Sequence, residues 1–212
     1  MCSNFETIKP DNANWVNQNF GCDLPLASWR PEAYPTYAAP FIFLDEGSPK
    51  CELAHFGLIP HWASDKIKFG LKTYNARSET VEEKPSYRNA WKQRHFGLAI
   101  MESFYEPNWE TGKAVRWKIK RADSKPVAVA SIWERFVDRG TGEIIFSFSM
   151  LTINADNHPV MKHFHKPEDE KRSIVVLQEN DYLTWLNAKH DEARNLLTLA
   201  PENFLLSSAS PR

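Results

Sequence analysis

The residue at position 2 is a cysteine, Cys2, which becomes the first residue of the chain once Met1 is removed. Removal of an initiator methionine is usual before a small residue, and it leaves a free α-amine and a thiol on adjacent carbons. The amine, with a reference pKa near ~8, condenses with an aldehyde to a Schiff base. The thiol can then close onto the imine carbon and give a five-membered thiazolidine. A cysteine also stands second by chance in many chains, so Cys2 alone does not define a function.

A second polar set lies in the segment 74–80, Tyr-Asn-Ala-Arg-Ser-Glu-Thr. If this segment is extended, Asn75, Arg77 and Glu79 share one face, because side chains alternate along a strand. An amide, a guanidinium and a carboxylate on one face suit phosphate binding and the orientation of a polar substrate. An exposed sheet edge with a local Arg77–Glu79 pair explains the same pattern.

Acid/base chemistry has candidates in Glu106 and in the histidines. Glu106 ends an apolar run between aromatic residues and precedes Pro107, which places a carboxylate at the end of a strand, where it suits a general acid or base. His158, His163 and His165 lack acidic or cysteine partners at metal-ligand spacing. We therefore expect one catalytic histidine, two surface histidines, no metal and no cofactor.

A basic stretch interleaved with an aromatic residue runs from position 66 to position 94. Its members are Lys66, Lys68, Lys72, Arg77, Lys84, Arg88, Trp91, Lys92 and Arg94. Such a stretch suits single-stranded nucleic acid, since cations meet phosphates and rings stack on bases. A solvated helix face is the simpler interpretation of the same residues.

The elements that position these residues are predicted to be mostly strands. Short runs rich in Ile, Val, Phe and Trp favour strands at 41–44, 53–59, 96–101, 115–119, 127–133, 144–151 and 174–177. Helices are predicted at 86–94, after a cap at Asn180, and at 191–199, and the first forty residues are predicted to be loop. Strands and helices do not alternate as in βαβ units. The sequence therefore predicts an α+β fold, a single domain over 1–212 with a strongly bent, barrel-like mixed β-sheet and a few peripheral helices.

The bulk properties limit the classes of function. The chain has 212 residues, 42% of them hydrophobic, and a formal net charge of −1, so any phosphate binding must come from a local patch. The three cysteines, an odd number, are expected to be thiols in a reducing compartment. Without a signal peptide or membrane span in the sequence, we expect a cytoplasmic protein, associated with the nucleoid through DNA, and a monomer.

Taken in order, these motifs resemble one family, the SOS response-associated peptidase (SRAP) family. The resemblance rests on five segments: Met1-Cys2, 56–62 (FGLIPHW), 75–80 (NARSET), 104–106 (FYE) and 151–155 (LTINA). It implies a β-rich α+β domain that crosslinks to abasic sites in single-stranded DNA, with associated Schiff-base lyase chemistry. It also implies the catalytic set Cys2, Asn75, Glu106 and His165, and DNA contacts at Pro40, Trp62, Arg77 and Arg172.

The chain departs from this family at its start. Ser3 and Asn4 replace the usual glycine and arginine, which removes one expected phosphate contact. Two alternatives to the crosslinking function remain open. One is a cysteine peptidase that removes its own first residue, with Cys2 as nucleophile and Glu106 or His165 as base. The other is a non-covalent module that binds single-stranded DNA.

Overall fold

The fold was described from a computed structural model, which covers residues 2–210 of the chain. A free amine at Cys2 depends on removal of Met1, and Met1 lies outside the described residues. The strands are β1 (Phe5–Thr7), β2 (Glu32–Ala33), β3 (Ala38–Asp45), β4 (Ser48–Phe56), β5 (Asn75–Arg77), β6 (Phe96–Asn108), β7 (Val115–Arg121), β8 (Val127–Val137), β9 (Ile144–Asn154), β10 (Arg172–Ile174) and β11 (Leu205–Ala209).

The helices are short and lie around the sheet. They are α1 (Ala13–Phe20), α2 (Lys66–Gly70), α3 (Arg88–Lys92), α4 (Tyr182–Asn187) and α5 (His190–Leu196), with 3₁₀ turns at Pro10–Asn12, Met161–His163 and Glu179–Asp181. None of the helices within residues 2–210 is long and apolar enough to cross a membrane.

Five strands close into a barrel. β3 pairs with β4 and with β6, β6 pairs with β8, and β8 pairs with β9, all antiparallel. A short parallel ladder between β4 and β9, at His55–Ser147 and Phe56–Phe148, completes the ring. Closure removes the free edges that an open sheet would expose.

The remaining strands extend the sheet beyond the barrel. The long strand β6 leaves the ring after Met101, and its second half pairs with β1 on one side and β7 on the other. β5, which lies between β4 and β6 in the chain, and β10, which follows β9, both pair with the end of β9. These additions form the end of the barrel that carries the predicted site residues.

Apolar side chains alternate between the two faces of the barrel wall. Phe41 and Phe43 point inward, and Phe41 stacks on Phe148 of β9, at 4.6 Å between ring centroids, although β3 and β9 do not pair. Ile42 points outward into a second apolar cluster that includes Trp185 of α4. The strand alternation thus fills both the barrel interior and the layer beneath the helices.

The α+β class and the bent, barrel-like sheet are confirmed. The prediction of loop for the first forty residues is wrong, since β1, α1 and β2 lie there. α1 buries Trp15, Val16 and Phe20 and ends at Gly21, which has a positive φ of 68°. The predicted cap at Asn180 is also wrong, because a 3₁₀ turn containing Asn180 precedes α4, and α4 has no side-chain cap.

Gly57, in the segment FGLIPHW, provides the first prediction. Its φ is +118°, and a Cβ there would lie 2.1 Å from the carbonyl oxygen of Gly70. Gly57→Ala should lower the free energy of unfolding by about 3 kcal/mol, since backbone strain and an immovable steric clash add together. Gly47, with φ +83° and open space around it, is the matched control, and Gly47→Ala should cost only about 1 kcal/mol. Equal urea midpoints for the two variants would show that the close contact with Gly70 has no energetic weight.

Candidate active site

Cys2 is fully buried at the end of the barrel where β1 pairs with β6. The register places Phe5 opposite Phe104, and the backbone N–H of Tyr105 donates to the carbonyl oxygen of Asn4 at 3.0 Å. This antiparallel pairing draws the start of the chain along β6 toward Glu106. Backbone hydrogen bonds of the neighbouring residues therefore help to set the position of Cys2.

The Cys2 thiol is held in its neutral form. Burial, and secondly the negative charge of Glu106, raise its pKa to about 12. The Sγ atom lies 3.5 Å from the carbonyl oxygen of Asn4. The thiol therefore stays protonated near neutral pH, and any reaction at sulfur needs a group that accepts its proton.

Asn75 fixes the carbonyl group of Cys2. β5 runs parallel to β9, with Asn75 opposite Met150, and the Asn75 Nδ2 donates to the Cys2 carbonyl oxygen at 2.7 Å. The Tyr87 hydroxyl donates to the backbone oxygen of Asn75 at 3.0 Å and secures the strand. The buried Oδ1 of Asn75 has no hydrogen-bond partner among residues 2–210. A buried acceptor of this kind is suited to a donor on a ligand or reaction intermediate.

Glu106 and His165 form a buried pair beside Cys2. The His165 Nε2 and the Glu106 Oε2 are 3.0 Å apart, and the two residues are 9% and 2% exposed. A bridge between Asn108 and Phe164, and a 2.9 Å bond from the His165 N–H to the Pro107 oxygen, bring the histidine to β6. His165 has a φ of +66°, a strained value that is found mainly where tertiary contacts impose it.

The other two histidines of the sequence cluster lie outside this pair. His163 is exposed, as predicted, with its Nδ1 2.9 Å from Glu110. The prediction of a surface position for His158 is wrong. His158 is 3% exposed, and its Nδ1 accepts the backbone N–H groups of Val160 and Met161. Burial lowers its pKa, so it is a neutral structural residue. Within residues 2–210, no group of three or more Cys, His, Asp or Glu is arranged to hold a metal ion.

The two predicted DNA-contact arginines have different surroundings. Arg77 is half exposed, and its Nη1 lies 2.8 Å from Glu170. Arg172 is 3% exposed, and its guanidinium donates to Glu79, Glu170 and the carbonyl oxygen of Thr152. The structure places Arg77 at the surface and Arg172 in the interior, with Glu170 bonded to both.

The other two predicted DNA contacts also differ in exposure. Pro40 is buried within β3, opposite Leu53. Trp62 is 46% exposed, packs edge-on against Phe69, and lines a cavity of about 750 Å³. The cavity is also lined by Arg88, Lys92 and His190 from the basic stretch and α5. Trp91, in contrast, is 2% exposed and unavailable for stacking on a base.

Several residues of the site were not found from the sequence. Tyr74 lies near Cys2 and Glu106, and its pKa is raised first by burial and then by the electrostatic influence of these two neighbours. A second cavity, of about 320 Å³, is lined by Asn4, Tyr105, Glu106 and Arg116, among others. The tyrosine directly before Asn75 is a signal that sequence reasoning passes over, whereas nothing around Arg116 in the sequence connects β7 with Cys2.

The arrangement brings together a thiol, a carboxylate–imidazole pair and an amide that fixes the thiol residue's carbonyl. A buried carboxylate–imidazole pair can accept and return a proton with little reorganisation, because protein groups replace water around it. The geometry therefore suits nucleophilic chemistry at Cys2 assisted by proton transfer.

Comparison with known proteins agrees with this site. The family model described as "SOS response associated peptidase (SRAP)" matches residues 1–209. Abasic site processing proteins YoqW and YobE of Bacillus subtilis (strain 168) are each 27% identical over 203 residues, which cover 94% of this chain and 86% and 88% of theirs. A crystal structure of a Bordetella bronchiseptica protein is 31% identical, covers the full length of both chains and has a TM-score of 0.89.

The family match extends over the whole barrel and includes the buried site formed by Cys2, Asn75, Glu106 and His165. This chain is a member of the SOS response-associated peptidase (SRAP) family.

Proposed function

We propose that this protein processes abasic sites in DNA by forming a covalent adduct with them, in single-stranded DNA, through Cys2. The names of its Bacillus relatives support abasic DNA as the substrate. The observation that carries the proposal is the position of Cys2, which is buried close enough to Glu106 to feel its charge and whose carbonyl is bonded to Asn75. An abasic site exposes an aldehyde when its sugar ring opens, and an N-terminal cysteine is an efficient trap for aldehydes.

The reaction needs no oxidant or cofactor. After removal of Met1, the α-amine of Cys2 adds to C1′ of the open sugar, and loss of one water gives the imine. The sulfur then adds to the imine carbon, and the thiol proton passes to the imine nitrogen, which closes the thiazolidine. The imine is also the intermediate from which β-elimination would cleave the strand, so lyase activity and reversal of the adduct use the same groups.

The remaining site residues have distinct roles in this scheme. Glu106 accepts and returns the protons that the amine, the water and the thiol exchange, and His165 shares this proton and assists sugar opening. Asn75 orients Cys2, and its Oδ1 is available to accept a hydrogen bond from the reacting amine or the sugar. The raised pKa of the thiol keeps the sulfur neutral until the imine forms.

The DNA strand is assigned to the exposed residues near the site. Trp62 offers an accessible ring for stacking on a base, and Arg77 offers a guanidinium to a phosphate. A base can stack on the exposed Trp62 ring only when it is not paired within a duplex, which favours single-stranded DNA. Pro40 and Arg172 are buried, so we assign them to the support of this surface, Arg172 by holding Glu79 and Glu170.

The adduct should depend on Cys2 alone among the three cysteines. Cys2→Ala should abolish a denaturation-resistant band with single-stranded DNA that contains one abasic site, as seen on a denaturing gel of protein with verified loss of Met1. Cys22→Ala is the matched control and should crosslink normally. An adduct that survives Cys2→Ala would refute the proposal. If wild-type protein and Cys2→Ala bind the DNA equally well and neither forms an adduct, the non-covalent module is favoured. If Met1 is lost only when Glu106 is present, self-processing is supported.

Glu106→Gln should slow adduct formation by about 100-fold, because a positioned acid/base group typically contributes at least this factor. The rate should be measured in single turnover with saturating abasic DNA. Affinity for DNA that carries a tetrahydrofuran analogue, which has no aldehyde, should not fall, since the variant removes a negative charge from the cavity. Glu102 lies on the same strand and bonds the Lys9 N–H and Asn12 instead of the site, so Glu102→Gln is the control and should react at the wild-type rate. A wild-type rate in Glu106→Gln would remove Glu106 from the chemistry.

Glu170 competes with DNA phosphate for Arg77. The pKa of Glu170 is lowered to about 2, mainly by hydrogen bonds from Arg172. Glu170 is therefore charged at the pH of any binding assay and pairs with Arg77. Glu170→Gln should therefore tighten binding of the tetrahydrofuran DNA by about twofold to fivefold, the range expected for an exposed ion pair. Fluorescence anisotropy at constant salt measures the effect. Glu168→Gln, a charge change in the same exposed loop, should give a smaller increase, and equal effects would indicate only a general change in charge.

A further inference from the structure

We propose that Arg116, in the cavity beside Glu106, binds the backbone phosphate next to the abasic sugar. This inference rests on the proposed function and adds a phosphate-contact residue to it. The cavity, of about 320 Å³, lies between the start of the chain and the strands β6 and β7, and its lining includes Ser3, Asn4, Tyr105, Glu106 and Arg116. A sugar that reacts at Cys2 must reach Glu106, so the phosphate attached to that sugar lies within the same region.

The guanidinium of Arg116 is held in place by contacts that leave donors unused. It lies over the Tyr105 ring at 3.3 Å from the centroid. Its Nη2 donates to Asn4 Oδ1 at 2.8 Å and to both carboxylate oxygens of Glu32 at 3.0 and 3.1 Å. Its Nη1 and its buried Nε donate to no group within residues 2–210. A fixed guanidinium whose Nη1 is unused among these residues can donate one charge-assisted hydrogen bond to a phosphate oxygen.

Arg116 can meet an anion in this cavity through a nitrogen that Glu32 does not occupy. Glu32 offsets the charge of Arg116 through one nitrogen only, and Lys118 on the same strand is paired with Glu6. Glu106 is turned to His165. Asn4, a neutral residue, bonds to Glu32, to the Ala33 oxygen and to Arg116, so it positions the guanidinium without competing for a phosphate. Arg116 is thus the cation of this cavity that has donors to spare.

Arg116→Gln should weaken binding of single-stranded DNA with a central tetrahydrofuran analogue by about tenfold, the usual effect of losing one charge-assisted hydrogen bond. The slope of log affinity against log salt should become smaller by about 0.7, the value for one phosphate contact on a single strand. Lys120→Gln is the matched control on β7. Lys120 is exposed and bonds only Ser124 among the described residues. The affinity of Lys120→Gln for this DNA should therefore differ from that of the wild type by less than twofold.

A second measurement locates the phosphate. Replacing the linkage on one side of the analogue with a neutral methylphosphonate should weaken wild-type binding by about tenfold and should leave binding of Arg116→Gln unchanged, because the two changes remove the same contact. The linkages 5′ and 3′ of the analogue are tested separately. If the methylphosphonate weakens binding of Arg116→Gln as much as it weakens binding of the wild type, at both the 5′ and the 3′ linkage, the assignment is overturned.

A merely structural role for Arg116 is tested with Glu32→Gln. If Arg116 acts only by anchoring Glu32 and Asn4, both variants should lose affinity and the salt slope should not change. If Arg116 binds phosphate, Glu32→Gln should keep or raise affinity, since the competing charge is gone. All these assays use DNA without an aldehyde, so failure of the covalent proposal leaves them readable. Loss of the adduct in Cys2→Ala tests that proposal separately.

Discussion

The structure of the site depends on the pairing of β1 with the second half of β6. That pairing is made of backbone hydrogen bonds, with Phe5 opposite Phe104 and Asn4 bonded to Tyr105, and it carries Cys2 into the barrel end beside Glu106. Because β6 is also a barrel strand, Cys2 and Glu106, the proposed nucleophile and its acid/base partner, are positioned by the paired strands of the barrel wall. A flexible N-terminus would lose conformational entropy each time it became ordered for a reaction. Because β1 pairs with β6 in the folded protein, this entropy is lost once, during folding.

The site itself opposes folding. A buried thiol, a buried carboxylate–imidazole pair, an Asn75 amide oxygen without a partner among residues 2–210 and a left-handed backbone at His165 are each unfavourable. The apolar barrel offsets them, since Phe41, Phe56 and Phe148 stack across its interior. Stability therefore comes from the barrel, and the unfavourable groups lie at its end. Burial there protects the charges and hydrogen bonds of the proposed site from screening by water.

The sequence predicted most barrel strands because they contain apolar runs of β-branched and aromatic residues, whereas β4, with the polar start Ser-Pro-Lys, was predicted at 53–59 and lies at Ser48–Phe56. It missed α1, whose eight residues are rich in Asn, although Pro10 before it and Gly21 after it are typical helix boundaries. The choice of His165 among three histidines rested on family resemblance, since composition cannot show which one reaches β6. Arg116 could not be predicted at all. Its contact with Asn4 joins residues 112 positions apart through two strand pairings, and local pattern contains no information about them.

The net charge of −1 limits how strongly this chain could hold DNA in the proposed function. Each arginine near the site is already paired with a carboxylate: Arg77 with Glu170, Arg116 with Glu32, and Arg172 with Glu79 and Glu170. A phosphate that binds Arg77 or Arg172 must therefore replace or share these carboxylates, which makes such a contact weak and dependent on salt. Weak non-covalent binding is compatible with the proposed function, because in that proposal a covalent bond at Cys2 supplies the lasting attachment. Under the same proposal the strand contacts need only align the sugar, and selectivity comes from the aldehyde, which undamaged DNA does not have.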